Sequence, residues 1–109
     1  MGNFDEDKIF NSLEIRNTDL QTSDVAASGE FIAKTIFIEN GLNQTVTFQL
    51  QGARDGTWLN VGSTFEATAS TNLYQTVSDF FPKYRLTAQC SVAPTSGSLS
   101  VWILKSHGG

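Results

Sequence analysis

Apolar and polar residues alternate along much of the chain with the period of a β-strand. In residues 46–51, Val46, Phe48 and Leu50 alternate with threonine and glutamine, which predicts a strand with one buried face. Residues 54–57, Arg-Asp-Gly-Thr, then supply turn chemistry, and residues 58–61 resume an extended run. The segment therefore predicts a β-hairpin with an exposed turn and with Gly56 at positive φ.

Other segments of the chain also predict strands. Residues 30–39, EFIAKTIFIE, place apolar side chains on both faces, so this strand should be central or covered on both sides. Asn40-Gly41 after it is a strong hairpin signal, which predicts that the strand pairs with residues 44–51. Residues 64–68 and 73–77 read as two further short strands.

The last third of the chain continues the alternation. From Tyr84 to Val92 every second residue is apolar, and in residues 98–105, SLSVWILK, the inward set is Leu99, Val101 and Ile103. About eight short strands at spacings of 8–12 residues, with no helical segment, predict an all-β, two-sheet antiparallel sandwich. The spacing is compatible with a jelly-roll or an immunoglobulin-like topology. The predicted core includes Val46, Phe48, Leu50, Leu86, Ala88 and Val101.

The two ends of the chain depart from this pattern. Residues 1–12 show no clean helix or strand period and read as an extended N-terminal arm, residues 13–105 as the sandwich, and residues 106–109 as a flexible tail. The arm is either a frayed end or a segment that orders on a partner through Phe4, Ile9 and Phe10. On the second reading, deletion of residues 1–11 should leave a folded domain that assembles less tightly.

Composition narrows the classes of partner. The chain has 109 residues, one cysteine and a net charge of −4, and only 17% of its residues are charged. An uncharged polar surface suits protein assembly or sugar contact. Seven acidic residues and two basic ones fall within residues 1–30, so an acidic segment precedes a nearly neutral body. No basic stripe is present to neutralise phosphates, which argues against nucleic-acid binding.

The sequence offers little for catalysis or cofactor binding. Cys90 lies on the apolar face of its strand and reads as a small core residue with an unreactive thiol. Asp55 has no second acidic residue at calcium-loop spacing and reads as part of a turn. We expect no enzyme activity, cofactor or metal. No apolar run is long enough to span a bilayer, and the acidic N-terminus does not resemble a signal peptide.

Two aromatic residues are candidates for contact. If Leu99, Val101 and Ile103 point inward, Trp102 points outward, and we expect Tyr74, in residues 73–77, to share that position. A tryptophan on an outward face is either covered by the chain's own N-terminal segment or available to a partner.

The runs NGLNQTVTFQLQGARDGTWLNVGS, FPKYRLTAQC and APTSGSLSVWILK carry a family resemblance. Residues 30–105 resemble small β-sandwich virion proteins, capsid-decorating or tail-associated, of bacterial and archaeal viruses and related uncharacterised prokaryotic domains. The resemblance implies a structural role and carries over no catalytic residue.

These observations lead to two hypotheses of different classes. The first is a non-enzymatic assembly subunit at a virion or particle surface, made in the cytoplasm, with copies of itself or a larger structural protein as partners. The alternative is a carbohydrate-binding or adhesion module that stacks a glycan on Tyr74 and Trp102. Neither hypothesis involves nucleic acid or a membrane.

Overall fold

The computed structural model describes residues 4–27, 33–77 and 81–106, with the side chains of all of these except Phe4 and Ala33. The described residues form nine strands, and they include no helix that could cross a membrane. The strands are β1 (Phe4–Leu13), β2 (Gln21–Thr22), β3 (Ala26–Ala27), β4 (Ala33–Asn40), β5 (Val46–Arg54), β6 (Thr57–Ala67), β7 (Thr71–Val77), β8 (Lys83–Gln89) and β9 (Leu99–Ser106).

The strands form two antiparallel sheets, which confirms the predicted sandwich. The front sheet has the order β1-β9-β4-β7, and the back sheet has the order β2-β8-β5-β6, with β3 also beside β8. The first strand pairs with the last, β2 and β3 with β8, β4 with β7, and β5 with β6. This nested pairing is the winding of a jelly roll and selects it over the immunoglobulin-like alternative.

The β5–β6 hairpin follows the sequence prediction at its turn. Asp55 has φ 53° and Gly56 has φ 80°, and Arg54 pairs with Thr57, which is a two-residue loop of the mirror-image type that suits the twist of a hairpin. Residues 58–61 and 64–68, predicted as two short strands, fall on the single strand β6, which ends at Ala67. A bulge at residues 62–64 interrupts its register, because Phe48 pairs with Phe65 while Leu50 pairs with Val61.

One hydrophobic core fills the space between the sheets. All six predicted core residues are buried, and Phe48 stacks on Phe65 with their ring centroids 5.5 Å apart. The predicted inward residues of β9, Leu99, Val101 and Ile103, are buried as well. Val92 was predicted to face the same way as Leu86 and Ala88, but it is 55% exposed because β8 ends at Gln89.

The predicted hairpin at Asn40-Gly41 does not form. β4 lies in the front sheet and β5 in the back sheet, and neither Asn40 nor Gly41 has the positive φ that such a turn requires. Asn40 is buried and holds the corner between the sheets. The carbonyls of Gln44, Ala67 and Thr68 share the two hydrogens of its Nδ2, and its Oδ1 accepts from the amide of Leu42.

The first described residues also differ from the prediction. Residues 4–13 form β1, which is an edge strand of the front sheet beside β9, so the boundary drawn at residue 12 falls inside a strand. A register shift lies between Lys8 and Phe10, and this irregularity allows both Ile9 and Phe10 to point inward. The break in alternation is what concealed the strand in the sequence.

One smaller difference completes the comparison. The predicted loop over residues 17–29 contains the short strands β2 and β3, which pair with β8. β4 is central in the front sheet, as its apolar residues predicted, while residues 30–32 and the tail residues 107–109 lie outside the described part of the chain.

Candidate functional site

The outer surface of the front sheet holds three aromatic residues that lie outside the core. On β4 and β9 every second residue points into the core, and the residues between them face away from it. Among the latter, Ser100 is itself buried, and its Oγ accepts a hydrogen bond from the amide of Ser12. Strand register then places the outward side chains of β1 and β7 on the same surface. We call this surface the front face; its residues are Glu6, Lys8, Thr35, Phe37, Glu39, Asn72, Tyr74, Thr76, Ser100, Trp102 and Leu104.

Four of these residues form one row across all four strands. Lys8 is the direct register partner of Trp102, Trp102 is that of Phe37, and Phe37 is that of Tyr74. Directly opposite residues in antiparallel strands have Cβ atoms about 5 Å apart, so neighbouring side chains in the row can touch. The row therefore joins three aromatic rings and one cation across the width of the sheet.

The inner part of this row is packed. The rings of Phe37 and Trp102 meet edge to face, with their centroids 6.0 Å apart and their planes at 66°. The Lys8 ammonium lies 4.9 Å from the centroid of the Trp102 ring, which is within the range of a cation–π interaction. Phe37 and Trp102 are half-buried, whereas Tyr74 is 68% exposed at the edge strand.

A shallow depression of about 290 Å³ lies beside the row. Its lining consists of Phe37, Trp102, Leu104 and the carboxylates Glu6 and Glu39. Its floor is thus apolar and two acidic side chains stand at its margin. The depression can therefore contact an apolar or aromatic group, and the two carboxylates at its rim can accept hydrogen bonds from a bound molecule.

The structure brings the two predicted aromatic residues onto one face. Trp102 and Tyr74 both point outward, as the alternation in the sequence indicated, but Phe37 stands between them and was not singled out. The signal for Phe37 was present: it is the middle residue of the apolar run 36–38 in a strand whose flanking isoleucines are buried. A contact made by Tyr74 or Trp102 with a partner stays a prediction.

Two of the three side chains predicted to order on a partner instead pack inside the chain. Ile9 and Phe10 are 3% and 5% exposed and belong to the core cluster, so they are not available to another molecule in this structure. Phe4 lies in β1, and its side chain is outside the described part. β1 runs beside β9 in the same sheet, so its backbone does not cover Trp102.

The acidic residues of β1 also have partners within the chain. Lys105 is 6% exposed, and its Nζ lies 2.9 Å from Oδ2 of Asp7 and 4.0 Å from Oδ2 of Asp5. The same ammonium donates to the carbonyl of Ala27 in the back sheet at 2.8 Å. This ion pair closes one end of the sandwich, and Asp5 and Asp7 are engaged there rather than left to pair with a neighbour.

The described residues offer no sign of a catalytic centre. They contain no cluster of histidine, cysteine and acidic side chains suited to a metal ion. Among them, each buried side-chain nitrogen or oxygen has a hydrogen-bond partner. Cys90 is 1% exposed, and burial raises the pKa of its thiol above the ordinary value of 9.0, which disfavours the nucleophilic thiolate.

The outer surface of the back sheet has a different character. The Nε of Arg85 donates to Gln51 at 2.8 Å, and Nε2 of Gln51 donates to Asn60 at 3.0 Å. The Arg85 guanidinium also lies 4.1 Å from the centroid of the Trp58 ring. These side chains bind one another, so the back face offers fewer groups to a partner than the front face does.

No protein-family model matches the sequence, and no curated protein matches it. Among solved structures, the PBSX exported protein XepA superposes with a TM-score of 0.71 at 10% sequence identity. That match covers 95% of this chain but only 37% of XepA. PirA superposes with a TM-score of 0.53 at 14% identity and covers 98% of this chain and 95% of PirA. At these identities the likeness shows a shared fold.

A third solved structure is more distant. The coat protein of Tobacco streak virus gives a TM-score of 0.47 at 14% identity, over 96% of this chain and 87% of the coat protein. A superposition at that level is too loose to assign a common architecture in detail.

Proposed function

We propose that this chain is a non-enzymatic structural subunit that associates with copies of itself at the surface of a virion or comparable particle. The observation that carries the proposal is the front face, where an aromatic row lies across a sheet with few charges. Aromatic residues in such a setting are enriched where protein surfaces meet. Jelly-roll domains are also a common building block of viral capsids.

The rest of the chain supports an assembly role. Only 17% of the residues in the sequence are charged, and the short side chains of serine, threonine and asparagine lose less conformational entropy when they are covered than those of lysine or glutamate. The described residues provide acceptors and apolar surface but no nucleophile with a base. Hydrogen-bond acceptors and apolar surface are sufficient for a subunit that only binds its neighbours.

Light scattering after size-exclusion chromatography tests the proposal. A subunit that associates with itself should show a mass that rises with concentration from 11.9 kDa toward a multiple of it, with a midpoint on the order of 1–100 µM for a small interface. A mass that stays at 11.9 kDa up to about 1 mM would overturn the proposal, since that corresponds to less than about 4 kcal/mol of association free energy.

A second candidate is supported by the depression on the same face. Jelly-roll domains also occur in lectins, and Glu6 and Glu39 beside Trp102 could accept hydrogen bonds from sugar hydroxyls while a sugar ring stacks on the indole. A glycan-binding module would be a monomer whose tryptophan fluorescence changes on titration with a glycan panel. The edge-to-face angle of Phe37 and Trp102 favours the first candidate, because the two rings do not form one flat platform.

A further inference from the structure

We propose that the front face pairs with the front face of a second copy of this chain, in a two-fold dimer whose axis runs parallel to the strands between β9 and β4. The inference rests on the proposed function and names the surface and the partner within it. It follows from the order of side chains in the row that contains Lys8, Trp102, Phe37 and Tyr74.

The row is complementary to itself when it is reversed. A two-fold axis parallel to the strands, midway between Trp102 and Phe37, exchanges the two ends of the row. Lys8 of one copy then faces Tyr74 of the other, and Trp102 of one copy faces Phe37 of the other. Each contact occurs twice, as an isologous interface requires.

Charge selects this axis over the other one. A two-fold axis perpendicular to the strands would place Lys8 against Lys8 of the second copy, which is repulsive. With the parallel axis, register places Glu39 opposite Ser100 and Glu6 opposite Thr76 of the second copy. No like charges meet, and each lysine gains a second aromatic ring as a cation–π partner.

The anatomy of the face also fits a protein partner. The rings of Phe37 and Trp102 lie on the two central strands, with polar side chains such as Thr35, Glu6 and Glu39 around them. Aromatic residues at the centre of a patch with a polar rim are the usual carriers of binding energy. Tyr74, at 68% exposure, is the most exposed of the large apolar side chains recorded for the described residues.

The area predicts a weak dimer. Four strands about 4.8 Å apart and about 27 Å long present about 500 Å² per copy, or about 1,000 Å² in total. Specific interfaces begin near about 1,000 Å², so the dimer should belong to the weak class that exchanges in solution. A larger assembly would strengthen the contact by supplying other contacts between the same subunits.

Cross-linking of two single-cysteine variants tests the geometry directly. In a Cys90→Ala background, Lys8→Cys and Tyr74→Cys are purified separately, mixed, and treated with a bismaleimide linker that bridges the ~10 Å between facing sheets. The mixture should give a cross-linked dimer that contains one copy of each variant. Neither position touches the core, so both variants should fold.

The matched control is each variant by itself. In the proposed dimer two copies of Tyr74 lie about 14 Å apart along the interface, which is three strand spacings, and about 17 Å apart through space. Tyr74→Cys alone should therefore cross-link at least tenfold more slowly than the mixture, and Lys8→Cys alone should behave in the same way. Equal rates in all three samples would overturn the proposed pairing.

Substitution gives a second readout that does not depend on the linker. Tyr74→Ser should raise the dissociation constant of the dimer at least tenfold by light scattering, while Trp58→Ser on the back face should leave it unchanged. If the chain associates but neither the cross-link nor Tyr74→Ser shows the expected effect, this inference fails and the proposed function stands. If the chain remains a monomer throughout, the proposed function fails as well.

Discussion

The ammonium of Lys105 lies 2.9 Å from the carboxylate of Asp7 and thereby joins the last strand of the fold to the first. The lysine is almost fully buried, while the aspartate is about one third exposed, with a side-chain exposure of 36%. The same ammonium reaches Ala27 in the opposite sheet. One side chain thus connects the front sheet, its edge strand and the back sheet at one end of the sandwich.

Removal of this carboxylate should destabilise the fold. Asp7→Ala leaves a buried ammonium without its nearest anion, and we expect a loss of about 2 kcal/mol in the free energy of unfolding. Asp5→Ala is the matched control, because its carboxylate is 4.0 Å away and 60% exposed; it should have little effect. Urea denaturation measures both, and equal losses would show that the Asp7 contact has no special weight.

Phe10 should prove to be a core residue in solution. Phe10→Ala removes a buried ring and should cost about 3–4 kcal/mol through lost contacts and the cavity left behind. Leu20→Ala, at an exposed position, should change stability by less than about 0.5 kcal/mol. Deletion of residues 1–11 removes most of β1 and should abolish the cooperative unfolding transition, in contrast to the expectation from the sequence. A truncated chain as stable as the full one would contradict this assignment of β1.

Gly97 is constrained by a close approach of two backbones. Its φ is 88°, and a Cβ at this position would clash with the carbonyl oxygen of Gly41. Gly56 has a similar φ of 80° but open space around it, so Gly56→Ala should cost only the conformational term of about 1–2 kcal/mol. Gly97→Ala should cost at least about 2 kcal/mol more than that. Thermal unfolding of the two variants separates the contact from the backbone conformation, and equal costs would argue against the close approach.

Asn40 should contribute strongly to stability although it is polar. Asn40→Ala leaves three carbonyls and one amide without their partner, and we expect a loss of about 3 kcal/mol. Asn43→Ala, which removes the exposed pair of hydrogen bonds to Thr95, should cost about 1 kcal/mol or less. Chemical denaturation gives both values. A smaller loss of stability for Asn40→Ala than for Asn43→Ala would show that the hydrogen bonds of the Asn40 side chain do not stabilise the corner between the sheets.

Cys90 should make stability depend on pH in the alkaline range. Burial raises the pKa of its thiol above 9.0, so above that pH the thiol ionises in the unfolded chain before it ionises in the folded one. The contribution of the neutral, buried thiol to the free energy of unfolding is therefore fully present below about pH 9 and is lost as the pH rises further. Cys90→Ala should lower stability by about 1 kcal/mol at neutral pH and should reduce the decline in stability above about pH 9. Rapid labelling of the native thiol by maleimide would contradict its burial.

The sequence predicted those elements in which strict alternation and turn chemistry agree. The β5–β6 hairpin, the inward set of β9 and the turn at Gly56 were predictable because each depends on neighbours along the chain. β1 was missed because a register shift between Lys8 and Phe10 breaks its alternation. Asn40-Gly41 was misassigned because the side-chain hydrogen bonds of Asn40 reach Ala67 and Thr68, which are far away in sequence.

The candidate site was predictable only in part, for a related reason. Alternation in residues 98–105 was enough to place Trp102 outward, but its neighbours depend on strand order. Phe37 and Lys8 flank Trp102 only because β9 lies between β1 and β4. Alternation along a sequence predicts which face of a strand a residue occupies. Which residues lie beside it on neighbouring strands depends on the order of the strands in the sheet.

The pairing of the first strand with the last also has a consequence for synthesis. Trp102, the register partner of Lys8, is synthesised roughly 90 residues after it. At ribosomal rates of about 5–20 residues per second, β1 therefore has no partner strand for about 5–20 s. During that time Ile9 and Phe10 are an apolar segment in an unfinished chain. Asp5, Glu6, Asp7 and Lys8 directly precede them, and such charges act as gatekeepers against premature strand association. The acidic residues that later hold Lys105 would thus first protect the nascent chain from its own copies on neighbouring ribosomes.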